Sequence, residues 1–382
     1  MFHNDYIVAG GEYHSVREEF DGLQRAGVEA RLLLSDNEGL QSASARKQAV
    51  KLLTGREEYE RCKAEIARFR PDVLHLQNLF PSLSVGVLRA AAESGVPWVR
   101  SLRNYRLRCL AATLRYDGED CRVCHSAATG IPGIARGCYR GSRAASAGAL
   151  AVNVRDASLS RRSAKRAYIV LSHAMKKPLK AQLVGERVFV KPNIVTIPEP
   201  EAAPTPLRYD AVFVGRAVAE KGIETVLETA RRAPELRFAA VGTERGDWNG
   251  AAGWPENVES LGVLPQPAAV EVMATSRTLL VPSVWAEPFG RVAAEALSVG
   301  AIPLVADRGG LPEIAQLLAA DLVLPHDVVH PWVSAVRHFA SMAPQELTAW
   351  RTAARRVASE NFAWRPLTDR LINIYREVSG VD

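Results

Sequence analysis

Residues 278–305 read TLLVPSVWAEPFGRVAAEALSVGAIPLV: an apolar run, a loop, an Ala-rich helix, a glycine stop and a second apolar run. Pro288 has a preset φ and no amide hydrogen, so it suits a helix start. Gly300 suits the C-terminal stop, with Pro303 beyond it. Glu287 then falls in the loop at the strand's carboxyl end, and Glu295 about a turn and a half into the helix at 3.6 residues per turn. In open α/β sheets that end carries the ligand crevice. Most glutamates are solvated. Glu287, however, stands among Trp285, Pro288 and Phe289, and Glu295 among Ala293, Ala294, Ala296 and Leu297. A lone charge in such company is costly without a partner, so both are candidate site residues.

The same strand–helix alternation runs through most of the chain. Val28–Leu34, Val73–Leu76, Pro97–Leu102 and Tyr168–Ser172 read as strands in the first half, and Ala211–Val214 and Phe238–Val241 in the second. Short apolar runs separated by amphipathic stretches imply parallel, doubly wound sheets. A length of 382 residues, 47% of them hydrophobic, supports two domains with full cores. The Pro-rich segment IPEPEAAPTP is the expected linker, with domains over 1–196 and 197–365 and a terminal helix, 366–382, packing back toward the first. Residues 347–378 read as helical, with Trp350, Trp364, Leu367, Leu371 and Tyr375 on an apolar packing stripe. No apolar window reaches 18 residues and the start has no signal layout, so a cytoplasmic location is expected.

Charge divides the chain at the same place. Residues 1–190 hold 30 basic and 19 acidic side chains, and residues 191–382 hold 18 and 23. The excess sits in residues 101–190, with 17 basic against 5 acidic. No nucleic-acid module accompanies it, which leaves small anions, a membrane surface contacted peripherally, or plain solvated surface.

Two glycine-bearing loops point to phosphate. The segment Ile7–Glu12, IVAGGE, precedes an amphipathic helix, so Gly10 and Gly11 could let the backbone approach an anion at the helix N-terminus. In the second half GRAVAEKG follows a short strand and opens a helix. Gly215, Arg216, Lys221 and Gly222 therefore share a strand-to-helix loop, where Arg grips phosphate bidentately and Lys adds a point charge. Residues 103–145 break the alternation and hold Cys109, Cys121, Cys124 and Cys138. Two readings stand for them, a structural zinc set of four thiolates or packed reduced thiols.

Taken together, GRAVAEKG, PSVWAEPFGRVAAEALSVGAIPLVA, GGLPEI and, in the first half, NYRLRC, the C-x-x-C excursion and GCYRGS resemble the retaining glycosyltransferases of family 4, in particular a bacterial subgroup with a Cys-rich insertion. The resemblance implies the GT-B fold, two Rossmann-like domains facing across a cleft. It implies transfer of a sugar from a nucleotide-diphosphate donor to a hydroxyl acceptor, with no metal required for catalysis. By position, Arg216 and Lys221 would bind the diphosphate, with the Gly215 loop beside them. Glu287 would contact the donor sugar, with the Phe289 and Gly290 amides nearby, and Glu295 would hold the ribose. Backbone near Val263 and Leu264 would meet the base, and Gly10 and Gly11 would approach from the other domain. Members of the family carry a histidine near the donor sugar where this chain has Arg103, and a full strand before the GG loop where this chain starts MFHN. The first strand is therefore expected to be very short, or upstream residues to be missing. These departures keep open a second reading, a catalytically inactive nucleotide-binding or scaffolding subunit.

Overall fold

Leucine, valine and alanine crowd the short apolar runs, and the central runs become strands buried on both faces, as parallel sheets require, while the edge strands are partly exposed. The computed structural model describes residues 1–4, 11–35, 54–81, 83–126, 130–199, 206–244 and 253–381. They form two units, Met1–Ile194 with Leu367–Asp382, and Val195–Pro366.

In the first unit the strands are β1 (Phe2–Asn4), β2 (Leu33–Ser35), β3 (Leu74–Leu76), β4 (Trp98–Ser101), β7 (Arg166–Val170) and β8 (Arg187–Val190). They pair throughout in parallel, in the order β2-β1-β3-β4-β7-β8. The helices are α1 (Gly11–Arg25), α2 (Arg56–Phe69), α3 (Ser84–Ser94), α4 (Val123–Ser126), α5 (Ile131–Ala135), α6 (Arg143–Ser160) and α7 (His173–Leu179). A small hairpin, β5 (Arg115–Tyr116) with β6 (Glu119–Asp120), stands apart on the cysteine-bearing excursion. Ser142 caps α6 by accepting from the Ala145 amide, which starts that helix at Arg143.

The second unit contains β9 (Tyr209–Val214), β10 (Phe238–Val241), β11 (Val258–Ser260), β12 (Ser276–Val281), β13 (Ile302–Ala306) and β14 (Val323–Leu324). All pair in parallel, in the order β11-β10-β9-β12-β13-β14. Counted within the unit this is the 3-2-1-4-5-6 order of a Rossmann sheet, and the order reverses between β9 and β12. The helices are α8 (Ile223–Arg232), α9 (Gln266–Ala274), α10 (Arg291–Val299), α11 (Leu311–Ala315), α12 (His330–Ser341) and α13 (Pro344–Phe362).

The stretch read as helical over 347–378 consists of two helices. Helix α13 ends at Phe362, Ala363 is extended, and α14 (Trp364–Ser379) begins anew. Pro366 near its start has no amide to continue the earlier ladder. The apolar stripe divides accordingly. Trp350 packs edge-on to Phe339 in the second unit. Leu371, Ile374 and Val378 complete a first-unit core with Leu23, Val99, Ala167 and Ile169.

Candidate functional site

The loops that leave the carboxyl ends of β9 and β12 adjoin at the reversal point of the second sheet, where ligands bind in this architecture. After β9 the chain passes Gly215, Arg216 and a single 3-10 turn, Ala219–Lys221, before α8. Gly222 joins turn to helix at φ 74°, and a Cβ there would run into the Pro282 carbonyl. Only glycine combines that backbone conformation with so close an approach. The Val284 amide then donates to the Glu220 carbonyl at 3.0 Å, tying the two loops together. The loop after β13 closes from the third side. Gly309, at φ 59°, lies against the Glu287 backbone, the Gly310 amide donates to the Glu287 carbonyl at 2.7 Å, and Arg308 Nε donates to the Val284 carbonyl at 3.0 Å.

This frame holds the Glu287 side chain, which is buried. Its Oε1 accepts from Lys221 Nζ at 2.7 Å and from Ser283 Oγ at 2.9 Å. The Lys221 ammonium also lies 5.5 Å from the Trp285 ring centroid. Arg216 is exposed at the mouth of the same loop, and among the described residues its guanidinium has no partner. A buried carboxylate and a half-exposed ammonium thus meet at one loop junction, and Arg216, exposed and without a partner among the described residues, stands on the same β9–α8 loop.

Glu295 is also buried, in the middle of α10, where Ala293–Val299 are all inside. Its Oε1 accepts from Arg291 Nε at 2.7 Å and from Gln266 Nε2 at 3.0 Å. Among the described residues neither glutamate's Oε2 takes a hydrogen bond, so each keeps an acceptor atom. Helix α10 begins at Arg291 rather than at Pro288, because Gly290 at φ 102° still belongs to the loop. Phe289 is buried edge-on to Phe362 at 5.7 Å, which anchors the loop rather than presenting its ring. Val263 is 78% exposed and Leu264 half-buried, just before α9. Sequence reading missed Ser283, Gln266 and Gly309. Gln266, directly after Pro265 at a helix start, carried the only local signal.

In the first unit Gly11 is exposed and opens α1, while Gly10 lies outside the described residues. Arg103 is not free to meet a ligand. Its guanidinium, 3% exposed, donates to Gln77 Oε1 at 3.0 and 3.1 Å, to Glu19 Oε2 at 3.0 Å and to Asn193 Oδ1. Lys191 Nζ donates to Glu19 Oε1 at 2.6 Å. Burial alone would raise the Glu19 pKa, but Lys191 and then Arg103 outweigh it and hold the carboxyl well below the usual range. His75 adjoins this network, bonded to Ser101 Oγ at 2.8 Å and to Tyr375 Oη at 2.6 Å, and burial lowers its pKa to about 3. A separate cavity of about 750 Å³, lined by Phe20, Phe69, Arg70 and Asp72 among others, opens at the amino ends of the strands. That is the end of the sheet opposite to the one where ligands bind.

The zinc reading of the cysteines is not supported. Among the described residues, no group of three or more His, Cys, Asp or Glu side chains is placed to hold a metal ion. Cys109, Cys121, Cys124 and Cys138 are half-buried free thiols. Burial first, with the neighbouring cysteines adding to it, pushes the Cys124 and Cys138 thiols up. Arg136 donates to Cys121 Sγ at 3.4 Å, a hydrogen-bonded packing role.

Comparison with known proteins agrees with this geometry. Residues 202–357 match the family described as Glycosyl transferases group 1. The D-inositol 3-phosphate glycosyltransferase of Mycobacterium tuberculosis is 30% identical over 181 residues, 44% of this chain and 37% of that protein, so the match spans little more than a third of the relative. Sucrose-phosphate synthase from Thermosynechococcus elongatus superposes with a TM-score of 0.70 at 16% identity, over 99% of this chain and 96% of that one. Anabaena Alr3699/HepE in complex with UDP-glucose does so with a TM-score of 0.63 at 15% identity, over 98% and 99%. The chain has the GT-B fold of two Rossmann-like α/β units, and its residues 202–357 are similar to the group 1 glycosyl transferases.

Proposed function

We propose that the protein transfers a sugar from a nucleoside diphosphate donor to a hydroxyl-bearing acceptor with retention of anomeric configuration. The carrying observation is the Lys221–Glu287 pair beside a free Arg216 at the sheet's reversal point. Arg216 and Lys221 bind the diphosphate and stabilise its charge as it leaves, which is the largest electrostatic demand of the reaction. Glu287 Oε2 accepts from hydroxyls of the donor sugar and orients it. Glu295 Oε2 accepts from the ribose. The backbone at Val263 and Leu264 meets the base, and the Gly215 loop with the Phe289 and Gly290 amides lines the phosphate and sugar path. The bond from the anomeric carbon to the diphosphate breaks, and the acceptor oxygen bonds the same face. The acceptor proton passes to the departing phosphate oxygen. No glycosidase-type carboxylate pair is needed on this route.

UDP complexes among the structural neighbours make UDP-sugars the first donors to try. The acceptor is assigned to the first unit, where Gly10 and Gly11 precede and open α1. A second reading, a nucleotide-binding subunit without transferase activity, draws on Arg103. Its donors are consumed by Glu19, Gln77 and Asn193, so it cannot replace a histidine beside the sugar. Release of nucleoside diphosphate from UDP-, GDP- and dTDP-sugars by the purified chain separates the two. Turnover that Lys221→Ala abolishes supports transfer, and binding without any turnover supports the second reading. Absence of both overturns the nucleotide-sugar assignment.

A further inference from the structure

Residues 121–185 carry twelve lysines and arginines and a single acidic residue, Asp156. That one acid is unavailable at the surface, because Asp156 is buried and paired with Arg100 at 2.7 Å. Just beyond this segment Glu186 pairs with Arg166 at 2.7 Å, and α6 gathers several of the other cationic residues on one side. Positions 143, 147, 154, 158 and 161 recur at helical spacing and are all exposed, as are neighbouring 155 and 162. They bring Arg143, Arg155, Arg161 and Arg162 to solvent. Between these charges the same face presents aliphatic side chains. Val154 is 61% exposed, and Leu150, one turn away, lies against Gly130, which immediately precedes the 60% exposed Ile131 of α5.

A face that exposes Val154 and Ile131 beside arginines presents apolar surface as well as charge. A nucleic-acid surface calls for aromatic stacking groups or a recognition module, and the α6 face offers neither. Arginines flanking a small aliphatic patch match the interface of a bilayer, where the charges meet anionic headgroups and the aliphatics enter the headgroup layer. Among the described residues no helix is long and apolar enough to cross a membrane, so this contact would lie on the surface.

We propose that the exposed face of α6, with Ile131 of α5, docks on an anionic lipid bilayer. The proposal does not depend on which donor or acceptor the second unit uses. The test is co-sedimentation of the full chain with phosphatidylcholine vesicles, with and without phosphatidylglycerol, at low and high salt. Binding is expected only with phosphatidylglycerol and is expected to weaken as salt rises. Each arginine near such a surface contributes about fivefold, so Arg155→Glu with Arg161→Glu and Arg162→Glu lowers partitioning on the order of a hundredfold. Val154→Asp also lowers it while leaving the charge reversal set intact. These positions lie on a solvent face, so the variants should keep the wild-type circular dichroism spectrum and nucleotide binding. Absence of binding to anionic vesicles, equal binding to phosphatidylcholine, or unchanged binding of the triple variant overturns the proposal. So does complete competition by short RNA with no effect of Val154→Asp, which would mark a nucleic-acid surface instead.

Discussion

The Lys221 ammonium and the Glu287 carboxylate meet at 2.7 Å, from loops that follow two adjacent strands, β9 and β12. Neither residue is fully solvated and neither is fully enclosed, so the pair is held by the fold yet reachable from solvent. In the proposed reaction Lys221 turns toward the diphosphate when donor arrives, and Glu287 toward the sugar.

Lys221→Ala removes a positioned cation from the departing phosphate. Losing one such donor typically costs about 2.7–4 kcal/mol of transition-state stabilisation, roughly a hundred- to a thousandfold in kcat. Initial-rate kinetics with the preferred donor measure it, and circular dichroism checks that the fold remains. Glu287→Gln keeps the shape and should lower kcat by a comparable factor, because the amide cannot accept from Ser283, Lys221 and a sugar hydroxyl as a carboxylate can.

Glu295 is expected to behave differently. A ribose contact is present before and during transfer, so its loss weakens ground state and transition state alike. Hydrogen bonds to a charged group contribute about 1.5–3 kcal/mol, which places Glu295→Gln at roughly a ten- to hundredfold rise in donor KM with kcat nearly unchanged. Gln266→Ala removes one of the two bonds that hold the Glu295 carboxylate and should raise KM in the same direction, more weakly.

Gly309→Ala tests the frame rather than the chemistry. Its φ of 59° and its contact with the Glu287 backbone leave no room for a methyl group. The substitution should lower the melting temperature and the donor affinity together. Gly141→Ala, also at positive φ but with open space around it, should lower stability only slightly.

Acid should weaken the first unit. Burial lowers His75 from its ordinary value to about 3 and His3 to about 4. An unfolded histidine takes a proton near pH 6.5, so the unfolded state binds more protons between that pH and the folded values. Stability is therefore full above about pH 6.5 and declines as pH falls, by up to about 1.4 kcal/mol per pH unit for each histidine. Glu19, held low chiefly by Lys191 against its burial, adds a loss in the same direction below the ordinary carboxylate range. Melting temperature followed from pH 8 to pH 4.5 should fall, and His75→Gln should make that fall shallower.

The parallel sheets were legible because their strands are apolar runs with helical stretches between them, and the C-terminal end of α10 because Gly300 and Pro303 punctuate it, whereas its start, expected at Pro288, falls after Gly290. The placement of Glu287 before that helix and of Glu295 within it follows from spacing alone. The order of strands did not, since pairing β9 with β12 depends on contacts some 66 residues apart, the separation of Lys221 from Glu287. The buried network of the first unit was illegible for the same reason. Glu19 looks like one more charge on an amphipathic helix until Lys191, 172 residues away, proves to be its partner. Arg103 invited a reading as a ligand-facing residue, and only the structure reveals that Glu19, Gln77 and Asn193 occupy it. The spacing of the cysteines left a metal set and packed thiols equally open, and among the described residues no metal-holding group assembles.

The most direct measurement is a calorimetric titration of UDP into the wild-type chain and into the Arg216→Ala, Lys221→Ala double variant. The account predicts one site per chain in the wild type and at least a thirtyfold weaker Kd in the variant, since two charge-assisted contacts at about 1.5–3 kcal/mol each are lost. Equal affinity in the two proteins would contradict a diphosphate site between the β9 and β12 loops.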